Sequence, residues 1–184
     1  MFYQLPPAGN PINLTATAEP GLFLDSFFSP YQPRFFASGT AALAAVIIAA
    51  IRLKNVTRPE VVLPAYGCPD LVSAVVYAGA KPVLVDLEPD RPWMDLAQLS
   101  GKITAHTVAI VATDLFGISE RIDAIRPIAR QAGAMLIEDS AQAFPGARES
   151  DIWGGDCVVL SFGRGKPVSL LGGGVVLFRD TGIG

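Results

Sequence analysis

A single lysine, Lys166, lies in a glycine-rich loop between two short apolar segments, residues 157–162 and 175–178. Short runs of valine and leucine bounded by glycine are typical of buried strands. An amine surrounded by apolar neighbours loses affinity for its proton, because burial disfavours the charged form. The neutral amine is the form that attacks a carbonyl carbon to make a Schiff base. The loop alone leaves two interpretations open, a nucleophilic lysine or a solvated lysine on an ordinary hairpin.

Two other segments carry residue types that suit a charged ligand. Ser38, Gly39 and Thr40 precede a long apolar segment. Their hydroxyl and N–H groups either cap a helix or hold a phosphate at its N-terminus. Asp139 ends another apolar segment and is followed by Ser-Ala-Gln. Its carboxylate either caps the next turn or faces a buried cation, such as the protonated ring nitrogen of pyridoxal phosphate (PLP).

The elements that position these residues alternate between strands and helices. Strands are predicted at residues 60–63, 81–86, 107–113, 134–137, 157–162 and 175–178, and helices at 41–54, 69–77, 94–102 and 120–131. This alternation predicts a three-layer α/β/α fold with a mostly parallel sheet. Ligands bind at the carboxyl ends of the strands in such sheets, which groups Tyr66, Asp114, Asp139 and Lys166.

Composition excludes several classes of protein. The chain has 184 residues, and the 51% that are hydrophobic predict a compact domain. The net charge of −3 disfavours a basic surface for binding nucleic acid or membrane. The longest apolar run, residues 41–51, is too short to span a bilayer. The first basic residue is Arg34, so the N-terminus lacks the positively charged segment of a signal peptide and none is expected. Two distant cysteines without a C-x-x-C motif favour the reducing cytoplasm. With a single histidine, His106, no metal site is expected.

Six segments of the chain together resemble one known family, the DegT/DnrJ/StrS group of PLP-dependent sugar aminotransferases of fold type I. The segments are F-A-S-G-T-A-A-L-A-A, V-V-L-P-A-Y, A-G-A-K-P-V-L-V-D-L, T-D-L-F-G, L-I-E-D-S-A-Q-A-F-P-G-A and L-S-F-G-R-G-K-P-V-S-L-L-G-G-G-V-V. They run in register from about Arg34 to Arg179, and the E-D-S-A-Q-A segment and the S-F-x-x-x-K loop are the most specific.

The resemblance implies a role for each matching position. Lys166 would form the Schiff base with PLP, Asp139 would pair with the ring nitrogen, and Gln142 would lie against the ring or its hydroxyl. Related dehydratases carry histidine at the position of Lys166, so the lysine favours transamination. The implied reaction transfers an amino group from an amino acid, with glutamate the expected donor, to a keto-sugar carried on a nucleotide.

The resemblance also implies how the cofactor is held. Gly39, Thr40 and Ser161 would bind its phosphate. The position of Cys68 usually carries an aromatic side chain over the ring, and the nearby Tyr66 is a candidate to replace it.

The domain organisation expected from the resemblance is an irregular arm over residues 1–33 and a PLP-binding large domain over residues 34–184. The small C-terminal domain of the family is expected to be absent, which leaves open a truncated, non-catalytic homologue that acts as a binding or assembly module. Fold type I sites lie between subunits, so a homodimer is expected. Aromatic residues of the arm, Phe23, Phe27, Phe28 and Tyr31, need a partner surface in the domain or in a second subunit. A Rossmann-type nucleotide binder is disfavoured because no G-x-G-x-x-G follows a predicted strand.

Overall fold

The computed structural model describes residues 28–144 and 153–179. Within them, seven strands form one sheet. The strands are β1 (Tyr31–Phe36), β2 (Glu60–Pro64), β3 (Lys81–Val85), β4 (Thr107–Thr113), β5 (Met135–Asp139), β6 (Cys157–Ser161) and β7 (Gly174–Arg179). Their order across the sheet is β1-β7-β6-β5-β4-β2-β3. Strands β2 to β6 are parallel to one another, and β7 is antiparallel to both β6 and β1. The predicted α/β fold with a mostly parallel sheet is confirmed.

Four α-helices and a 3-10 turn (Leu115–Gly117) connect the strands within the described residues, and local sequence sets the ends of the helices. They are α1 (Gly39–Lys54), α2 (Pro69–Tyr77), α3 (Leu96–Lys102) and α4 (Ile122–Ala132). The Ser38 hydroxyl caps α1 by accepting from the N–H of Ala41, and the Asp95 carboxylate caps α3. Helix α4 ends at Gly133, whose φ of 59° suits a residue without a side chain.

The helices cover both faces of the sheet. Buried side chains of α1 and α2 pack on one face, against residues such as Val111, Ile137 and Val159. Side chains of α3 and α4 pack on the opposite face, against residues such as Ile110 and Leu136. Each element therefore buries its own apolar stripe, and the sheet is the middle layer of three. None of the helices in these two stretches is long and apolar enough to cross a membrane.

The start of the domain differs from the prediction. Tyr31 and Pro33, which the sequence placed in an irregular arm, belong to the edge strand β1. The strand is held by antiparallel pairing with β7, about 140 residues further along the chain, so local periodicity could not reveal it. The domain itself supplies the partner surface for two of the arm aromatics, since Phe28 and Tyr31 are only 2% and 5% exposed. Phe23 and Phe27 lie outside the described residues.

Candidate active site

One pocket opens at the carboxyl ends of the parallel strands. Its volume is about 70 Å³, and the pocket opens to solvent at its mouth. Six of the seven predicted site residues line this pocket: Gly39, Thr40, Cys68, Asp139, Ser161 and Lys166. Leu43, Asp70, Leu71, Ala141 and Val159 complete the lining. The arrangement brings together the starts of α1 and α2, the ends of β5 and β6, and the loop after β6.

The first turn of α1 forms one end of the pocket, and Gly39 makes its position possible. A Cβ atom at Gly39 would lie 2.7 Å from the Cβ of Ser161 and 3.0 Å from its hydroxyl oxygen. A Cβ at Gly174 would lie 2.5 Å from the backbone nitrogen of Gly39. These close approaches seat the helix start directly against β6 and β7. The Ser161 hydroxyl therefore lies beside the partially positive end of α1, where an anion is favoured.

Asp139 presents a carboxylate from the end of β5. Its side chain is 7% exposed, and its Oδ1 accepts from the N–H of Ala141 at 3.1 Å. Burial raises the pKa of Asp139 to about 6, opposed by the Ala141 N–H and the charge of Lys166 and reinforced by the charge of Asp114. A buried carboxylate with one hydrogen bond gains by meeting a cationic group in the pocket.

Lys166 occupies the loop between β6 and β7, as predicted. Its backbone N–H donates to the carbonyl of Gly163, and Gly165 takes a φ of 76° that glycine adopts without strain. The side chain is half-buried on the pocket wall. Within residues 28–144 and 153–179, the Lys166 amine forms no ion pair with a carboxylate. The amine is therefore available to a ligand.

Gln142 is the predicted site residue that does not line the pocket. Its Oε1 accepts from the backbone N–H of Phe116 at 2.7 Å, in the turn after β4. Phe116 has a φ of 59°, an unusual value for a residue with a side chain, and the Gln142 amide stabilises that conformation. Tyr66 likewise does not replace an aromatic over the pocket. It is 62% exposed, and its ring lies 6.3 Å from that of Phe116.

Two polar groups were missed from the sequence, one in the pocket lining and one outside it. Asp70 lines the pocket and accepts from the Thr40 hydroxyl at 3.0 Å. An acid in the first turn of a helix usually serves the helix dipole, so its position alone gave no signal. The second group is Ser140, whose hydroxyl donates to the buried carboxylate of Asp114 and accepts from Trp153 Nε1 at 3.0 Å. Burial raises the pKa of Asp114.

The neighbouring acid, Glu138, points to the opposite face of the sheet. It is 2% exposed, and its Oε2 accepts from the backbone N–H groups of Gly154 and Gly155, each at 2.7 Å. Burial raises the pKa of Glu138 to about 7, opposed first by the Gly155 N–H. In the described part of the chain, no three histidine, cysteine or acidic residues come together in a way that could hold a metal ion.

Comparisons with known proteins agree with this geometry. The chain is 32% identical over 147 residues to a GDP-perosamine synthase of Caulobacter vibrioides. The matched region covers 78% of this chain and 38% of that protein. The chain is also 35% identical over 148 residues to a UDP-2-acetamido-2-deoxy-3-oxo-D-glucuronate aminotransferase of Pseudomonas aeruginosa, covering 78% and 40%. The chain thus spans about two fifths of the length of these curated relatives.

A solved structure shows the same fold. A protein described as a sugar aminotransferase from Streptococcus pneumoniae, in its PLP form, superposes with a TM-score of 0.78 at 22% identity, covering 97% of this chain and 54% of that chain. The sequence model of the DegT/DnrJ/EryC1/StrS aminotransferase family matches residues 35–183. The resemblance predicted from six short segments is confirmed, and this chain belongs to the DegT/DnrJ/EryC1/StrS aminotransferase family.

Proposed function

We propose that this chain carries the PLP site of an aminotransferase that moves an amino group from an amino acid to a nucleotide-linked keto-sugar. Glutamate is the proposed donor. The observation that carries the proposal is the convergence of Lys166, Asp139, Ser161 and the start of α1 on one pocket. The names of the two curated relatives, a GDP-sugar synthase and a UDP-sugar aminotransferase, support the substrate class.

The residues of the pocket fit PLP at three points. The first turn of α1 and the Ser161 hydroxyl offer hydrogen-bond donors for the phosphate, in the way that helix N-termini bind anions. The nearly buried Asp139 carboxylate suits a protonated ring nitrogen. The half-buried Lys166 amine, with no ion pair among the described residues, suits the aldehyde.

Each side chain then has a defined task. When bound, PLP supplies an aldehyde that takes up an amino group and a ring that draws electrons from the neighbouring carbon. Asp139 would accept the N–H of the ring and hold the proton there, and that positive partner would lower the raised pKa of its carboxyl group. Lys166 would hold the aldehyde through its amine. When free, its Nζ would carry a proton from one carbon to the next as a general base and then acid.

The assembly proposed for this site is a homodimer. Large apolar side chains stand exposed on two loops that carry pocket residues, where Tyr66, Leu170 and Leu171 are 60–62% exposed. Phe116, whose ring lies 6.3 Å from that of Tyr66, is 66% exposed. Exposed apolar groups concentrated in one area often mark an interface. We also propose a cytoplasmic location, which the two free cysteines, Cys68 and Cys157, support. Light scattering in solution tests the dimer, and a strict monomer at all concentrations would contradict it.

The central test is chemical labelling. PLP is added to the 184-residue chain, the Schiff base is reduced with borohydride, and the peptides are mapped by mass spectrometry. The pyridoxyl group is expected on Lys166 and on no peptide of a Lys166→Ala variant. A label on Lys81 or Lys102 instead would overturn the assignment. Label on Lys166 without turnover of any nucleotide keto-sugar would favour the alternative function, a non-catalytic homologue that binds PLP.

A further inference from the structure

A carboxylate stands at the end of the pocket that suits an anion. Asp70 lies in the first turn of α2 and lines the pocket together with Thr40 and Ser161. The Thr40 hydroxyl donates to Asp70 Oδ2 at 3.0 Å. No cationic side chain of the described residues forms an ion pair with Asp70. Asp70 therefore carries a negative charge that no ion pair among the described residues neutralises, and it binds Thr40, one of the residues expected to hold phosphate.

This contact changes what Thr40 can offer to a ligand. A hydroxyl group has one hydrogen to donate. While that hydrogen goes to Asp70, the Thr40 oxygen turns only lone pairs toward the pocket. An anion at the start of α1 then depends on backbone N–H groups and on the Ser161 hydroxyl, and it also meets the negative charge of Asp70. Both effects act against a phosphate, and neither acts against an uncharged ligand.

We propose that Asp70 is a specificity-determining residue that lowers the preference of this pocket for phosphorylated over unphosphorylated ligands. The inference rests on the proposed function, because it takes the start of α1 as the phosphate end. Asp70 acts by charge repulsion and by holding the Thr40 hydroxyl away from the ligand. Its role is in selecting the ligand rather than in the reaction itself.

The experiment compares three ligands on the same variants. Dissociation constants of PLP, pyridoxal and inorganic phosphate are measured by titration of the 184-residue chain and of Asp70→Asn. The exposed position of Asp70 places the expected gain at about three- to tenfold for PLP and phosphate, with no change for pyridoxal. A purely structural role would move PLP and pyridoxal together, so the ratio of the two is the decisive readout.

The chain offers a matched control. Asp123 lies in the first turn of α4, forms an exposed ion pair with Arg126, and is not part of the pocket lining. Asp123→Asn removes the same charge from the same kind of position, so none of the three affinities should change. Asp70→Ser serves as a second variant if Asp70→Asn fails to fold. It also removes the carboxylate, and it should give the same gain.

The outcomes separate this inference from the proposed function. Tighter phosphate binding in Asp70→Asn, without any label on Lys166, would support the role of Asp70 while the aminotransferase proposal fails. Equal PLP-to-pyridoxal ratios in wild type and Asp70→Asn would overturn the inference. Weaker binding of PLP or phosphate in the variant, or no binding of either ligand by any variant, would also overturn it.

Discussion

Two adjacent acids at the end of β5, Glu138 and Asp139, lie on opposite faces of the sheet and have different surroundings. Asp139 faces the pocket beneath α1, on the side that we call the open face. Glu138 lies on the opposite side, which we call the closed face because its side chain is only 2% exposed beside α4 and Trp153, although a second pocket opens next to it. Burial raises the pKa of both, to about 6 for Asp139 and about 7 for Glu138. A raised pKa therefore does not distinguish a reactive acid from a structural one. The hydrogen-bond partners do, because Glu138 is bound to two backbone N–H groups and Asp139 keeps capacity for a ligand.

The same contrast extends to the surrounding residues. On the closed face, Trp153, Ser140 and Asp114 form a buried chain of hydrogen bonds that also takes in the N–H of Glu120. Such a network fixes the loops after β4 and β5 relative to each other. On the open face, Thr40 donates to Asp70, which is the one side-chain hydrogen bond of either residue within the described ranges, and both lie at the rim of the pocket. The closed face thus supports the ends of the strands, and the open face is left for binding.

The largest expected effect comes from removing the structural acid. Glu138→Ala leaves the N–H groups of Gly154 and Gly155 without their acceptor. Below about pH 7, where Glu138 keeps its proton, two buried hydrogen bonds would be lost and two N–H groups would be left without an acceptor, so we expect the free energy of unfolding to fall by about 4 kcal/mol. Urea denaturation followed by circular dichroism measures this change. A loss below about 1 kcal/mol would mean that water reaches the two N–H groups and replaces the carboxylate as their acceptor.

The raised pKa of Glu138 predicts a pH dependence of stability. The folded state holds its proton up to about pH 7, whereas the unfolded side chain releases it near 4.5. Between these values the folded state binds more protons, so Glu138 stabilises the protein at low pH and that contribution is lost as pH rises toward 7. We expect a loss of up to about 3 kcal/mol. Glu138→Gln does not titrate, so its unfolding free energy should fall less over the same range, and parallel curves for the two proteins would contradict this assignment.

Asp139→Asn should show the opposite pattern. The fold should be retained, because the asparagine oxygen can still accept from the N–H of Ala141. A hydrogen bond from the ring nitrogen to a charged acceptor would be lost, at a cost of about 2 kcal/mol, or roughly thirtyfold in amino transfer. The measurements are the unfolding free energy and single-turnover amino transfer in the protein loaded with PLP and left unreduced. An unchanged rate would make Asp139 a cap for the turn at Ala141 rather than a ligand of the ring.

Sequence reasoning succeeded where the information was local. Helix α2 was predicted at its observed bounds, because Pro69 marks its start and the apolar spacing continues to Tyr77. Of the four residues grouped at strand ends, Asp139 and Lys166 line the pocket together with Gly39 from the start of α1, whereas Tyr66 and Asp114 do not. Strand β1 pairs with β7, and Phe28 is buried in a cluster that contains Trp153. Both partners are distant in the chain, so no local pattern could predict the strand or the burial of Phe28.

The direction of individual side chains was the other limit. The resemblance predicts that Gln142 lies against the cofactor ring or its hydroxyl, and in the structure the Gln142 amide accepts from the N–H of Phe116, whose backbone is left-handed. Tyr66 was a candidate to cover the pocket, but it pairs with the Phe116 ring. Both outcomes depend on the shape of the turn after β4, and a positive φ at a phenylalanine has no signal in composition or spacing.

The smallest expected effect compares two glycines, one on each face. A Cβ at Gly39 would lie 2.7 Å from the Cβ of Ser161, and one at Gly155 would lie 2.8 Å from the Cβ of Glu138. Alanine at either position overpacks a tight contact, so each variant should lose about 1.5 kcal/mol of unfolding free energy. Gly101→Ala is the matched control, since a Cβ there meets nothing within 4 Å, and a gain of about 0.5 kcal/mol is expected in α3.

Phosphate binding then separates the two faces. Gly39→Ala pushes the start of α1 away from the Ser161 hydroxyl, so the affinity for inorganic phosphate should fall severalfold in addition to the loss of stability. Gly155→Ala strains the closed face, where Glu138 binds backbone N–H groups, and phosphate affinity should stay at the wild-type value. Equal phosphate affinities in the two variants would show that the close approach of Gly39 to Ser161 serves packing alone. The anion would then have to bind elsewhere in the pocket, beside Lys166.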